Sequence, residues 1–354
     1  MGYLIRAAVD VYQNNEQHVL YLPTKAGGAV LTARKCLIAL HGRNATASHP
    51  TAIKGWNAHI LKLVEAGGYV VMSIDTGAQT DGPGTNDGNS YKNQWGNDAA
   101  MTAITNAKTY LLTTLGASGS TKVGFLDYSL GGGQGFNWMS RNASLCAGAI
   151  TYAGGVDYDY FWNNFNQYKA ELELSYTGTK TTTTGSGTLN QVGSNLTIAS
   201  GTNFPASGTC VLYPFGNVVQ YQANDPVIVT YTGGGGTTTL TGCTIPSGSK
   251  AWGTGSQYLG VCTVGGYATN KTTRSPILIA SNVVFDAVPV HDYCGTLDEV
   301  VGASATPAST QNQDFVTAVG PNAVYHPVTG YTHGTLFNGI SSDEILSIVN
   351  TFKW

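Results

Sequence analysis

The sequence predicts an α/β protein: a mostly parallel sheet with helices on both faces, interrupted in mid-chain by an all-β insert. Three observations carry this. Short apolar runs alternate with segments of helical period over residues 1–172 and again over 271–354. Between these stretches, residues 173–270 are dominated by Thr, Gly and Ser, and from Ser175 to Asn270 only Lys180, Asp225 and Lys250 are charged. A serine, Ser129, stands directly after an apolar strand pattern and before Leu130-Gly131-Gly132-Gly133.

Tyr3–Tyr12 and Gln17–Pro23 read as two strands joined by the polar turn Gln13-Asn14-Asn15-Glu16. Lys35–Leu40 is a short apolar strand ending at His41-Gly42. A helix is expected from about Thr51 to Ala66, with Ile53, Trp56, Ile60, Leu63 and Val64 at helical spacing and Gly67-Gly68 as its stop. Tyr69–Asp75 is nearly all apolar, as befits a strand buried on both faces. After a polar, Gly-rich loop, Asn97 or Asp98 caps a helix that carries Met101, Ile104, Leu111 and Leu115 on one side. Lys122–Tyr128 and Cys146–Ala153 are further strands. In the insert, Asn195–Ala199, Thr209–Tyr213, Val227–Thr232 and Thr237–Thr241 are short β-type runs, with Gly233 to Gly236 as a hairpin loop and no helical pattern. The α/β pattern then resumes with apolar Pro276–Phe285, strands at Val288–Tyr293 and Ala323–Val328, and a helix over Asp343–Phe352.

The 354 residues suit two units or one large unit with an insertion. A hydrophobic fraction of 42% provides a core, while charged residues are only 10%, against roughly 25% in an average soluble protein. That composition excludes a charged disordered chain and a coiled coil, and the 46 Gly follow no collagen period. The net charge of −3 offers no basic field for nucleic acid. No apolar run reaches the ~20 residues of a membrane helix, and the N-terminus lacks the pattern of a secretory signal peptide. The six cysteines contain no C-x-x-C and read as free core residues, with a bridge among Cys210, Cys243 and Cys262 left open. His291 and Cys294 have metal-ligand chemistry but no further ligand pair nearby, so neither metal nor cofactor is expected.

The chemistry centres on Leu126-Asp127-Tyr128-Ser129-Leu130-Gly131. A serine in a sharp turn between a buried strand and a helix has its hydroxyl lifted above the sheet edge, and the turn needs little bulk two positions to each side. Gly131 meets that need on the helix side. The N–H of Leu130, at the helix start, then points to where an oxyanion forms. The second donor is expected from the loop that opens with His41-Gly42-Arg43, with the Arg43 N–H as candidate and His41 tying the loop down.

These features resemble the α/β-hydrolases, with their G-x-S-x-G elbow and H-G turn after an earlier strand; the resemblance covers roughly 1–172 and 271–354. In that family the acid follows a late strand in a pattern like G-x-x-D-x-V, here Gly295-Thr296-Leu297-Asp298-Glu299-Val300. The histidine lies after the last strand, here in Gly330-Tyr331-Thr332-His333-Gly334. The resemblance therefore implies Ser129 as nucleophile, His333 as general base and acid, and Asp298 as its orienter, with Asp292 as the alternative acid. His326, within a strand, reads as structural.

The departure is Asp127, where the family has glycine. A buried, unpartnered carboxylate there would have a raised pKa and distort the elbow; a paired one would stay ionised and hold the loop. The second outcome is the expectation, with Arg43 as partner.

The insert, with runs such as Ile198-Ala199-Ser200-Gly201-Thr202-Asn203-Phe204-Pro205 and Val229-Thr230-Tyr231-Thr232-Gly233, resembles short β modules of bacteriophage tail and fibre proteins. That resemblance implies a virion tail enzyme acting on a lipid ester or O-acetyl group of the host envelope, with other tail proteins, or further copies of itself, as partners. The alternatives are an inactive structural or receptor-binding tail protein on the same fold, and a cytoplasmic bacterial esterase.

Overall fold

A computed structural model describes residues 3–6, 18–23, 34–43, 50, 53–76, 95–117, 119–165, 168, 171–172, 175–176, 180–213, 227–252, 258–262, 267–280, 285, 288–302 and 310–354. The chain forms two compact units: Met1–Ala78, Asn93–Tyr158 and Thr273–Trp354 make one, and Gln79–Lys92 with Asp159–Thr272 the other.

The first unit begins with β1 (Tyr3–Arg6) antiparallel to β2 (His18–Pro23), as the sequence pattern suggests; the turn expected at Gln13–Glu16 lies outside the described residues. Then come β3 (Cys36–Leu40), α1 (Lys54–Glu65), β4 (Val70–Ile74), α2 (Asp98–Thr109), β5 (Val123–Tyr128), α3 (Leu130–Arg141) and β6 (Cys146–Tyr152). Helix α1 buries Trp56, Ile60, Leu63 and Val64 at the expected spacing, together with His59. It stops where Gly68 takes φ 68°, a conformation that costs glycine nothing. The Asn97 side chain accepts from the Ala100 N–H at 3.0 Å and caps α2. That helix ends in a π turn, Tyr110–Thr114, which buries Leu111.

Strands β3 to β6 are buried along their whole length. That is the pattern of parallel strands covered on both faces.

The second unit is built mainly of antiparallel strands: β7 (Lys180–Thr182), β8 (Gly187–Leu189), β9 (Ser194–Thr197), β10 (Gly208–Tyr213), β11 (Val227–Tyr231), β12 (Thr239–Cys243), β13 (Lys250–Trp252) and β14 (Tyr258–Cys262). They form one four-stranded sheet, β11-β10-β14-β7, and two strand pairs, β12-β9 and β13-β8. Leu196, Cys210, Val229, Tyr231, Leu240 and Trp252 lie in its core. Short strands with one inward face explain how so few apolar residues hold it together.

Helix α4 (Tyr158–Asn164) precedes these strands, and α5 (Tyr267–Arg274) and α6 (Pro276–Ala280) follow them. The helix starting at Tyr267 corrects the reading of the segment up to Asn270 as free of helix. Its Thr and Asn residues carry no apolar period to announce it. The first unit is completed by β15 (Val290–Gly295), α7 (Gln311–Val319), β16 (Ala323–Val328) and α8 (Ser342–Asn350). Helix α7 had no counterpart in the sequence reading; the Thr310 side chain caps it by accepting from the Gln313 N–H at 3.1 Å.

The eight-stranded sheet runs β1-β2-β4-β3-β5-β6-β15-β16, and every pair from β4 to β16 is parallel. The chain turns to one side of β3 to make β4 and to the other to make β5. Such a reversal leaves a crevice outside the carboxyl ends of β3 and β5, where ligands bind in open α/β sheets. His41-Gly42-Arg43 follows β3 and Ser129 follows β5, so both segments emerge at that crevice. Among the described residues no helix is long and apolar enough to cross a membrane.

Candidate active site

Ser129 leaves β5 with φ 53° and ψ −122°, backbone that an L residue rarely adopts. Strain of this kind costs on the order of 1–3 kcal/mol and persists where the surroundings over-determine it. Here the Ser129 N–H donates to Tyr152 O at 2.9 Å, and its carbonyl accepts from Gly132 N at 3.0 Å and Gly155 N at 2.7 Å. Helix α3 then starts at Leu130. A Cβ on Gly131 would collide with the carbonyls of Leu40 and His41, so only glycine lets this helix approach the end of β3.

The structure brings the two residues of the later loops to this serine. His333 Nε2 lies 2.9 Å from Ser129 Oγ, and its Nδ1 lies 2.9 Å from Asp298 Oδ2. The carboxylate requires the proton on Nδ1, which leaves Nε2 free to accept from the serine hydroxyl. Asp298 is anchored in turn: its Oδ1 accepts from the N–H groups of Val300 and Val301 at 2.8 and 2.9 Å. The alternative acid, Asp292, is buried and accepts from Asn312, and the carboxylate hydrogen-bonded to His333 is that of Asp298.

Gly42 is the close neighbour from β3: a Cβ there would stand 3.2 Å from Ser129 Cβ. This places the 41–43 turn against the elbow. His41 holds that turn through both ring nitrogens, with Nδ1 2.8 Å from Gly42 O and Nε2 3.3 Å from Asp75 Oδ1. Asp75, at the end of β4, escaped the sequence reading because nothing local marks it as facing His41. Tyr128 escaped it too. Its hydroxyl donates to the His333 carbonyl at 3.1 Å, and its ring lies 5.2 Å from the imidazole and packs on Trp56 and Phe337.

Asp127 corrects an expectation. It is buried, and neither carboxyl oxygen has a hydrogen-bond partner, so it forms no ion pair with Arg43. Burial pushes its pKa well above the usual carboxylate range, and the nearby Leu40 backbone N–H, outside hydrogen-bond geometry, offsets only part of this. The elbow is nonetheless formed, because Gly135 on α3 leaves the space that the Asp127 side chain fills. His326 sits on β16, as the sequence suggests, with Nε2 3.0 Å from His291 Nδ1.

The same architecture recurs in solved structures. The S-formylglutathione hydrolase from Agrobacterium tumefaciens superposes with a TM-score of 0.50 at 10% identity, over 99% of this chain and 91% of that one. The fold is that of the α/β-hydrolases. A puromycin-hydrolyzing peptidase from Mycobacterium tuberculosis superposes on this hydrolase fold with a TM-score of 0.50 at 12% identity, over 98% of this chain. The chain spans 37% of that protein. No protein-family model and no curated protein matches the sequence.

Proposed function

We propose that the chain is a serine ester hydrolase with Ser129 as nucleophile. The observation that carries this is the hydrogen-bonded series Ser129–His333–Asp298, set on a strained turn at the crevice. Ser129 Oγ attacks the ester carbonyl carbon while His333 Nε2 takes its proton, and Asp298 holds the resulting imidazolium in place. The N–H groups of Leu130 and Arg43 stabilise the oxyanion. The tetrahedral adduct collapses, breaking the bond to the leaving alkoxide, which receives the proton from Nε2. Water, deprotonated by His333, then attacks the acyl-enzyme and releases the acid, and the proton returns to Ser129.

The unbroken link from Ser129 to Asp298 favours the enzyme over an inactive scaffold. Labelling with a fluorophosphonate probe tests it: wild type becomes modified at Ser129 and Ser129→Ala does not. An unlabelled wild type that hydrolyses no nitrophenyl ester sinks the proposal.

We further propose that 1–172 and 271–354 form the hydrolase core and that 173–270 is an insertion serving a phage tail. On this reading the substrate is a lipid ester or O-acetyl group of the host envelope. The Thr/Gly/Ser-rich composition of the insert and its short antiparallel strands support this. Mass spectrometry of purified virions checks it; a chain found only in bacterial cytosol returns the protein to the cytoplasmic esterases.

A further inference from the structure

Asp292 and Asn312 form a fully buried polar pair that the hydrolysis scheme does not use. Asn312 Nδ2 donates to Asp292 Oδ2 at 2.8 Å and to the Gly154 carbonyl at 3.0 Å. Gly154 belongs to the turn that follows β6. That turn opens with Ala153 at φ 50°, whose N–H donates to Tyr293 O at 2.6 Å. Its last member, Gly155, gives its N–H to the carbonyl of Ser129 at 2.7 Å. Two non-glycine residues in left-handed backbone, Ser129 and Ala153, thus stand at the ends of adjacent strands. Each needs outside support to stay there.

The turn has little slack. A Cβ on Gly132 would strike Gly154 Cα and the methyl of Thr151, and one on Gly133 would strike the carbonyl of Gly155. A shift of residues 153–155 is therefore transmitted to the start of α3 and to the elbow. Burial pushes the Asp292 carboxyl up to about 8, with the hydrogen bond from Asn312 and the nearby Gly154 backbone working against the rise and the Asp298 charge adding to it.

We infer that Asp292 and Asn312 are positioning residues for Ser129: they pin the Gly154 carbonyl, and the pinned turn presents the Gly155 N–H that holds the nucleophile's backbone. The inference rests on the reading of Ser129 as nucleophile. Asp292 is thereby a support of the elbow rather than the acid of the triad.

The decisive variant is Asp292→Leu/Asn312→Leu. Replacing both members removes the Asp292–Asn312 bond and also takes from the Gly154 carbonyl its donor, so some stability is lost in any case, and kcat at unchanged KM in the folded variant is what separates positioning from a merely structural pair. The expected result is a folded enzyme with unchanged KM for a nitrophenyl ester and kcat lower by about ten- to a hundredfold, the penalty of a slightly misplaced nucleophile. Each single Leu substitution should cost as much as the double, because the pair acts as one unit. Asp292→Asn, whose amide oxygen still accepts from Asn312, should recover most of kcat. A folded double variant with wild-type kcat overturns the inference, as do single losses that multiply. Should the double variant not fold, Asn312→Ala is read in its place with the same two outcomes. Full hydrolysis by Ser129→Ala would instead remove the nucleophile assignment itself, whereas a Ser129-dependent enzyme indifferent to Asn312 removes only the positioning role.

Discussion

The carboxyl group of Asp127 occupies the space that a side chain at Gly135 would need. The elbow's missing glycine is thus compensated eight residues later, on the facing turn of α3. The two positions should be energetically coupled. Gly135→Ala alone should destabilise the protein by about 1–3 kcal/mol, since overpacking a tight core costs that much. In an Asp127→Gly background the same substitution should be tolerated, with a coupling of at least ~0.5 kcal/mol. Urea denaturation of the four proteins measures it; additive losses would show that the two sites are independent.

Asp298→Asn should lower kcat on a nitrophenyl ester by about 10⁴, because the amide cannot hold the proton on His333 Nδ1. Asp292→Asn should leave far more activity, since that carboxyl accepts from Asn312 and the carboxylate hydrogen-bonded to the histidine is that of Asp298. The reverse ranking would move the acid's role to Asp292.

Tyr128→Phe should lower kcat several-fold at unchanged KM. The lost hydrogen bond anchors the His333 loop, and a bond of this kind contributes about 1 kcal/mol, or roughly fivefold in rate. Steady-state kinetics check this, with equal kcat in the two enzymes as the contrary result.

Stability should fall with rising pH across the range set by Asp292. Its folded-state carboxyl is pushed from 3.8 up to about 8 by burial. Below about 4 both folded and unfolded chains hold the proton and its contribution is fully present. From there upward the unfolded chain ionises first, and stability is lost until the folded group ionises near 8. Asp127, raised by burial as well, acts in the same direction. Melting curves of wild type and Asp292→Asn should therefore diverge between about pH 4 and 8, with the variant losing less. Parallel curves would contradict the raised value.

Much of the fold was legible along the chain because local rules governed it. Short, nearly continuous apolar runs such as Val70–Ile74, broken only by Ser73, read as strands covered on both faces. The spacing of Trp56, Ile60, Leu63 and Val64 marks a helix face without reference to anything distant. A strand, a serine and a run of glycines make a sharp turn by themselves, so the elbow could be found at Ser129. The chain order of Asp298 and His333 followed from the family resemblance rather than from any local pattern.

The tertiary structure decided whatever joins residues far apart in sequence. Helix α7 lacked a clear apolar face in the sequence, yet its first turn carries Asn312 to Gly154. The pairing of His41 with Asp75, the hydroxyl of Tyr128 on the His333 carbonyl, and the hollow at Gly135 filled by Asp127 all depend on which strands and helices become neighbours. The sequence alone suggested a charged Asp127 held by Arg43, because an isolated carboxylate is costly to bury. The fold instead buries the group without a partner, where desolvation raises its pKa, in a space that the distant Gly135 leaves open.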